Sequence, residues 1–190
     1  ASKSFNMISI DRCRSTNDMV LVLANGEGET SEIKEGSSEY KKFAQAFEYV
    51  CTYLAKEIAR DGEGATKLLE VRVLGAKTFV DAKRAAKFIV SSDLLKAAIY
   101  GEDPNYGRIM AALGHSGIQI DVDKVNVFFH NVQLVKDGAG LEGNKGKARR
   151  LLLKKEIIIT IDLEIGQHSA TSWGCDLTPE YVKINAEYYT

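Results

Sequence analysis

SATSWGCDLTPEYVKINAEYYT, running from Ser169 to Thr190, is the stretch on which the reading of this chain turns. Trp173, Gly174, Cys175 and Asp176 read as a turn. The segment from Pro179 reads as a short helix with Tyr181, Ile184 and Tyr188 on one side. A terminus without such a stripe would be expected to fray. The apolar and aromatic positions argue instead that the tail docks on the body of the chain. Asn185 would then bring donors and an acceptor with it, and Thr190 a hydroxyl and the terminal carboxylate.

Working back from the tail, EIIITIDLEIG (Glu156–Gly166), VQLVKDG (Val132–Gly138) and VNVFFHN (Val125–Asn131) read as strands. A basic helix, Lys145–Lys155, lies between the last two strands of the chain. Before these come a helix from Asn105 to about Ser116 stopped by Gly117, a strand LLKAAIYG (Leu94–Gly101) and a helix from Thr78 to about Val90. LLEVRVLG (Leu68–Gly75) reads as a further strand. A long helix starts near Ser38, capped by Ser37 or Ser38, with Phe43, Phe47, Val50, Leu54 and Ile58 forming one face and Gly62 ending it. Gly26 to Gly36 is an acidic loop. MVLVLAN (Met19–Asn25) reads as a buried strand, DRCRSTND (Asp11–Asp18) as a polar turn and SFNMISI (Ser4–Ile10) as an edge strand. Interleaved strands and helices make this an α/β (α+β) chain with mixed sheets. The expected division falls near Leu68. Residues 1–68 complete a first lobe, and residues 69–190 form a compact α/β domain whose tail returns to it.

Composition narrows the function classes. Hydrophobic residues make up 45% and charged residues 27% of the chain, which is ordinary for a globular protein. The formal net charge is −1, so no basic excess points to nucleic acid or to an anionic membrane. IIITI, from Ile157, is too short to span a bilayer. Three cysteines, Cys13, Cys51 and Cys175, are too few and too scattered for a disulfide framework and fit a reducing compartment. No pair has metal-ligand spacing, and there are three histidines, so no metal site is expected.

Four segments could carry chemistry. In RDGEGATK (Arg60–Lys67), Glu63 sits between two glycines just past a helix. Glycines leave such a carboxylate unscreened and able to meet a ligand ammonium group. A helix C-cap followed by a solvated turn fits the same spacing. The segment is not a phosphate loop, since it lacks the Gly-Lys-Ser/Thr ending and follows a helix. In GEDPNYGRIMAALG (Gly101–Gly114), Arg108 could contact an anion, or it could order a loop–helix junction with Asp103. Cys175 would need a base to become a nucleophile, and His168 is the nearest histidine in sequence. A buried, inert thiol is the better fit. STND (Ser15–Asp18) reads as a turn before the following strand.

Taken together, and in this order and spacing, STND, RDGEGATK, GEDPNYGRIMAALG and the Ser169–Thr190 tail resemble the C-terminal, or β, chain of the ornithine acetyltransferases of arginine biosynthesis. The resemblance covers nearly the whole chain. It implies a two-lobed, DmpA-like fold of the N-terminal-nucleophile type. It implies substrate contacts from Glu63, Asn185 and Thr190. It also implies that the catalytic threonine lies upstream, freed when the precursor cuts itself, so that no catalytic residue falls within this chain. Two features depart from the family pattern: Tyr106 stands where a Trp is usual, and Arg12-Cys13 replace small or acidic residues before STND.

The activity implied is acetyl transfer from N-acetylornithine to glutamate through an acetyl-threonine, with acetyl-CoA as a further possible donor and no bound cofactor. The implied partner is the upstream α chain in an α2β2 assembly, with a cytoplasmic location and no nucleic acid or membrane. Two rivals stand beside this reading. One is a self-cleaving aminopeptidase or amidase, which would pass its acyl group to water. The other is a non-catalytic scaffold subunit.

Overall fold

The computed structural model describes residues 1–28 and 31–187. In chain order the elements are β1 (Ile8–Ser9), α1 (Ser38–Arg60), β2 (Leu68–Ala76), α2 (Phe79–Val90), α3 (Asp93–Tyr100), α4 (Tyr106–His115), β3 (Asn126–Phe129), β4 (Val132–Lys136), β5 (Ala139–Gly140), α5 (Lys145–Leu151), β6 (Glu156–Asp162), β7 (His168–Cys175) and α6 (Pro179–Glu187). The seven strands form one mixed sheet in the order β1-β7-β2-β6-β3-β4-β5. β2 is its spine, parallel to β6 on one side and antiparallel to β7 on the other. β1, from the region before Leu68, pairs in parallel with β7 at the edge.

The two faces of this sheet differ. Residues directly opposite in register share a face, so Leu69, Val71 and Val73 lie with Ile157, Ile159 and Ile161. All six are fully buried. Gly174, opposite Leu69, belongs to this face, where a Cβ would come within 3.0 Å of Val90 Cγ2. Here α2 lies flat on the sheet, burying Ala82, Ala85, Ala86, Ile89 and Val90. Small residues allow that close approach, and Thr78 caps the helix by accepting the Asp81 N–H at 3.1 Å.

On the other face stands Glu70, 4% exposed, which meets Lys56 Nζ of α1 at 2.9 Å and accepts the Trp173 indole N–H at 2.9 Å. Burial would raise the Glu70 carboxyl. The hydrogen bonds from Lys56, Trp173 and Arg72 outweigh it and hold the group below its ordinary value. α1 itself buries only Ala55 and Ala59. Its large apolar stripe faces outward: Phe43 is 57% exposed and Val50 51%.

Four expectations need correction. LLKAAIYG is not a strand: α3 occupies Asp93–Tyr100, with Ser92 accepting the Leu95 N–H and Asp93 in the first turn. Leu95 and Ile99, four residues apart, point inward together. The run was too short for apolar content to separate strand from helix, and the cap decided it. SFNMISI forms a 3-10 turn at Phe5–Met7 and keeps only Ile8–Ser9 as strand. MVLVLAN pairs with nothing among the described residues, and Leu23 is 93% exposed. A strand needs a neighbour for its backbone groups, and this run meets none. Trp173-Gly174-Cys175 is the buried end of β7 rather than a turn, and the strand stops at Cys175.

Candidate functional site

Three separate pieces of chain meet where α1 ends: the loop after β1, the Gly62–Lys67 loop and the segment leading from β7 into α6. The contact is close enough to require glycines. A Cβ on Gly62 would stand 2.8 Å from Cys175 Sγ and 3.1 Å from Ile10 Cδ1. Gly64 has φ +64° and faces the start of α6, where a Cβ would lie 2.6 Å from the Tyr181 nitrogen.

Asp176, 2% exposed, clamps the loop that carries Glu63. It accepts the Thr66 and Lys67 N–H groups at 2.8 and 2.9 Å and the Thr66 hydroxyl as well. A carboxylate can accept several such bonds, and doing so satisfies its buried oxygens. Thr178 joins the next layer. Its hydroxyl donates to the Gly64 carbonyl at 2.7 Å and accepts the Tyr181 N–H at 3.3 Å, capping α6.

With loop and helix so placed, Asn185 Nδ2 donates to Glu63 Oε2 at 2.6 Å and to the Tyr181 carbonyl at 3.0 Å. The structure thus brings together Glu63 and Asn185, two of the three residues expected to contact substrate, across 122 positions of sequence. Both side chains are exposed on the surface of this chain. The third, Thr190, lies outside the described residues, as does Tyr188 of the expected docking stripe. Of the other two stripe positions, Tyr181 is half-buried and Ile184 is 36% exposed.

Two groups beside Glu63, Asp11 and the Tyr181 hydroxyl, are read from the sequence only as a polar turn and a docking ring, not as partners at the site. The Tyr181 hydroxyl donates to Asp11 Oδ2 at 3.0 Å, and Asp11 Oδ1 accepts the Cys13 N–H at 2.8 Å. Burial, the bond to Asp11 and the nearby charges of Asp11 and Glu63 push the Tyr181 phenol up to about 12. It therefore stays a neutral donor across the working range of pH. Nothing in the spacing of Asp11, Glu63 and Tyr181 announces the meeting. Only the path of β1 beside β7 brings Asp11 there.

The remaining candidates have structural surroundings. Cys175 is buried, and burial pushes its thiol up, which disfavours the thiolate a nucleophile requires. Arg108 does not pair with Asp103. It donates to the Leu94 carbonyl at 2.6 Å, while Asp103 accepts from Asn105. Tyr106 donates to Glu142 at 2.7 Å. Arg12, at φ +73°, pairs with Asp93. A cavity of about 930 Å³ between α2, α3 and α4 is lined by Arg12 and Arg108 and by neither Glu63 nor Asn185. Five cations line it, Arg12, Lys83, Arg84, Lys87 and Arg108, of which Arg12, Lys87 and Arg108 are engaged by Asp93, the Asn6 carbonyl and the Leu94 carbonyl respectively. That cavity is therefore separate from the Glu63 cluster.

The family model described as the ArgJ family matches residues 1–190. The chain belongs to the ArgJ family. An arginine biosynthesis bifunctional protein ArgJ of Symbiobacterium thermophilum is 52% identical over 188 residues, covering 99% of this chain and 47% of that protein. A glutamate N-acetyltransferase of Methanopyrus kandleri is 48% identical over 191 residues, covering 98% of this chain and 49% of its own length. The crystal structure of the ArgJ bifunctional protein from Bacillus halodurans superposes with a TM-score of 0.95 at 41% identity, covering 98% of this chain and 88% of that one. The mixed α/β architecture is thus that of an ArgJ protein. The chain spans about half the length of the curated ArgJ relatives it matches.

Proposed function

We propose that this chain is the C-terminal, β part of an ornithine acetyltransferase and supplies an ammonium-binding carboxylate to its active site. The observation that carries the reading is the 2.6 Å bond between Asn185 Nδ2 and Glu63 Oε2. It engages one carboxylate oxygen, while Glu63 Oε1 has no hydrogen bond among the described residues. An amide donor fixes the orientation of the carboxylate without neutralising it, so it remains a strong acceptor for a ligand N–H. Thr190 is assigned to the same substrate shell.

In this reading the nucleophile is a threonine in the rest of the protein, freed by autocatalytic cleavage. Its hydroxyl attacks the acetyl carbonyl of N-acetylornithine, the amide C–N bond breaks, and the amine leaves as ornithine with the proton of the hydroxyl. The amine of glutamate then attacks the acetyl-threonine ester. N-acetylglutamate departs and the hydroxyl is restored. Glu63 takes no proton in either step; it holds the ammonium group that orients the substrate. Acetyl-CoA is proposed as an alternative acetyl donor, with no resident cofactor.

The proposed partner is the upstream α chain, in a cytoplasmic α2β2 assembly. Supporting this, Met19–Leu23 and the outer stripe of α1 expose a run of large apolar side chains that an obligate interface would cover. Residues 1–68 would complete a lobe with that partner, and residues 69–190 would form the compact α/β domain.

The test is acetyl transfer by the full-length protein. Labelled acetyl should pass from N-acetylornithine to glutamate, with an acetyl group trapped on a threonine when glutamate is withheld. Release of free acetate alone would favour an amidase. No transfer and no trapped acetyl would favour a scaffold.

A further inference from the structure

α6 carries the residue that holds Glu63, yet it buries no side chain of its own. A helix of nine residues without an apolar face against the core has little to fix its rotation. Its start is set by Thr178 and by the close approach of Gly64. Beyond that start, among the described residues, two side chains bond it to the rest of the molecule. They are Tyr181 and Asn185, four residues apart and therefore on one face of the helix. Tyr181 reaches Asp11 in the loop after β1 at 3.0 Å, and Asn185 reaches Glu63 at 2.6 Å. The two bonds are coupled through the backbone as well, because Asn185 Nδ2 also donates to the Tyr181 carbonyl.

We propose that Tyr181 is a positioning residue: its hydroxyl, anchored on Asp11, sets the rotation of α6 so that Asn185 aims Glu63 at the substrate ammonium. The inference rests on the reading of Glu63 given above and extends it to a pair, Asp11 and Tyr181, that no substrate contact assigns. Asp11 suits the task because both its oxygens are in use. Oδ1 is held by the Cys13 N–H, so Oδ2 is presented to the phenol in a fixed direction. A phenol suits it because it donates a bond without bringing a charge beside Glu63. Its raised ionisation keeps that true in alkaline solution. Phe at this position would keep the ring packing and lose only the anchor.

The experiment uses the full-length protein with four forms: wild type, Tyr181→Phe, Glu63→Gln and the double variant. The probes are N-acetylornithine and glutamate. Tyr181→Phe is expected to raise KM for the ammonium-bearing substrate about tenfold, the size of one lost hydrogen bond to a charged group, with kcat little changed. In the Glu63→Gln background the same substitution is expected to add nothing, because its effect passes through Glu63. A purely structural role would lower the melting temperature and the active fraction while leaving KM untouched. An unchanged KM, or an equal penalty in both backgrounds, overturns the inference and leaves the Glu63 reading standing if Glu63→Gln alone is impaired. A wild-type protein that transfers no acetyl group, or a Glu63→Gln variant with wild-type kinetics, overturns the Glu63 reading and the inference with it.

Discussion

Two amphipathic helices lie on the sheet of this chain, and their fates are opposite. α2 presses small residues into the Leu69–Val71–Val73 face and seals it. α1, nearly twice as long, buries Ala55 and Ala59 and turns Phe43, Phe47, Val50, Leu54 and Ile58 to the outside. Both have the helical period that a sequence reading looks for. The period says that a helix has an apolar face; it does not say which body covers that face. α2 finds its cover within this chain. α1, together with Met19–Leu23, is left without such cover among the described residues. The Glu63 cluster sits where α1 ends, at the margin between the sealed side and the open one.

The largest expected effect is a cavity on the sealed side. Ile159→Ala should lower the unfolding free energy of this chain by about 2–5 kcal/mol, since a fully buried side chain loses both transfer energy and packing. Phe47→Ala on the open side should change it by about 0.5 kcal/mol or less in the same denaturant titration. If the open face is an interface, Phe47→Ala should cost far more in the full-length protein than in this chain. Equal small effects in both would break the contrast between the two helices.

Next in size is the buried ion cluster under α1. Glu70 is held below its ordinary value, so its stabilising contribution is present above the unfolded carboxyl range and is lost as pH falls through the folded value. Glu70→Gln should reduce stability at pH 7 by about 1–3 kcal/mol, the cost of weakening a buried charged hydrogen-bond set. It should also flatten the decline of stability in acid. A steep acid limb that survives the substitution would assign the dependence to other carboxyls.

A smaller effect is expected at the tail. Tyr181 is raised from 10 to about 12, so the docked tail keeps this contribution below pH 10 and loses it as pH rises through the folded value. Phenolate absorbance should show a tyrosine near pH 12 that vanishes in Tyr181→Phe, apart from Tyr106, which its bond to Glu142 also raises. A titration in which every tyrosine ionises together near pH 10 would contradict the Asp11 contact.

How far the sequence spoke follows the same division. Elements whose cover lies within the chain were legible: β2, β6, α2 and α4 follow from period and caps, and Ser37, Thr78 and Gly117 mark ends where expected. Leu94–Tyr100 was misread because seven apolar-rich residues satisfy either period; the Ser92-Asp93 cap carried the answer. Met19–Asn25 has the composition of a strand, but pairing is a property of neighbours, and the described residues supply none. At the site, Glu63 and Asn185 were reached through motif resemblance. Asp176 and Thr178, which hold the loop and cap the last helix, and the Asp11–Tyr181 bond come from contacts more than a hundred residues apart in sequence. No local pattern encodes those contacts.

The central claim is that Glu63, aimed by Asn185, binds an ammonium group during acetyl transfer. Its most direct test is Glu63→Gln in the full-length protein, with kinetics and thermal melting measured on the same preparation. The substitution keeps shape and the bond from Asn185 while removing the charge. The account expects kcat/KM for N-acetylornithine or glutamate to fall about ten- to a hundredfold, from about 1.5–3 kcal/mol of lost charged hydrogen bonding, with an unchanged melting temperature. Wild-type kinetics, with or without a small loss of stability at the Gly62–Gly64 turn, would contradict it.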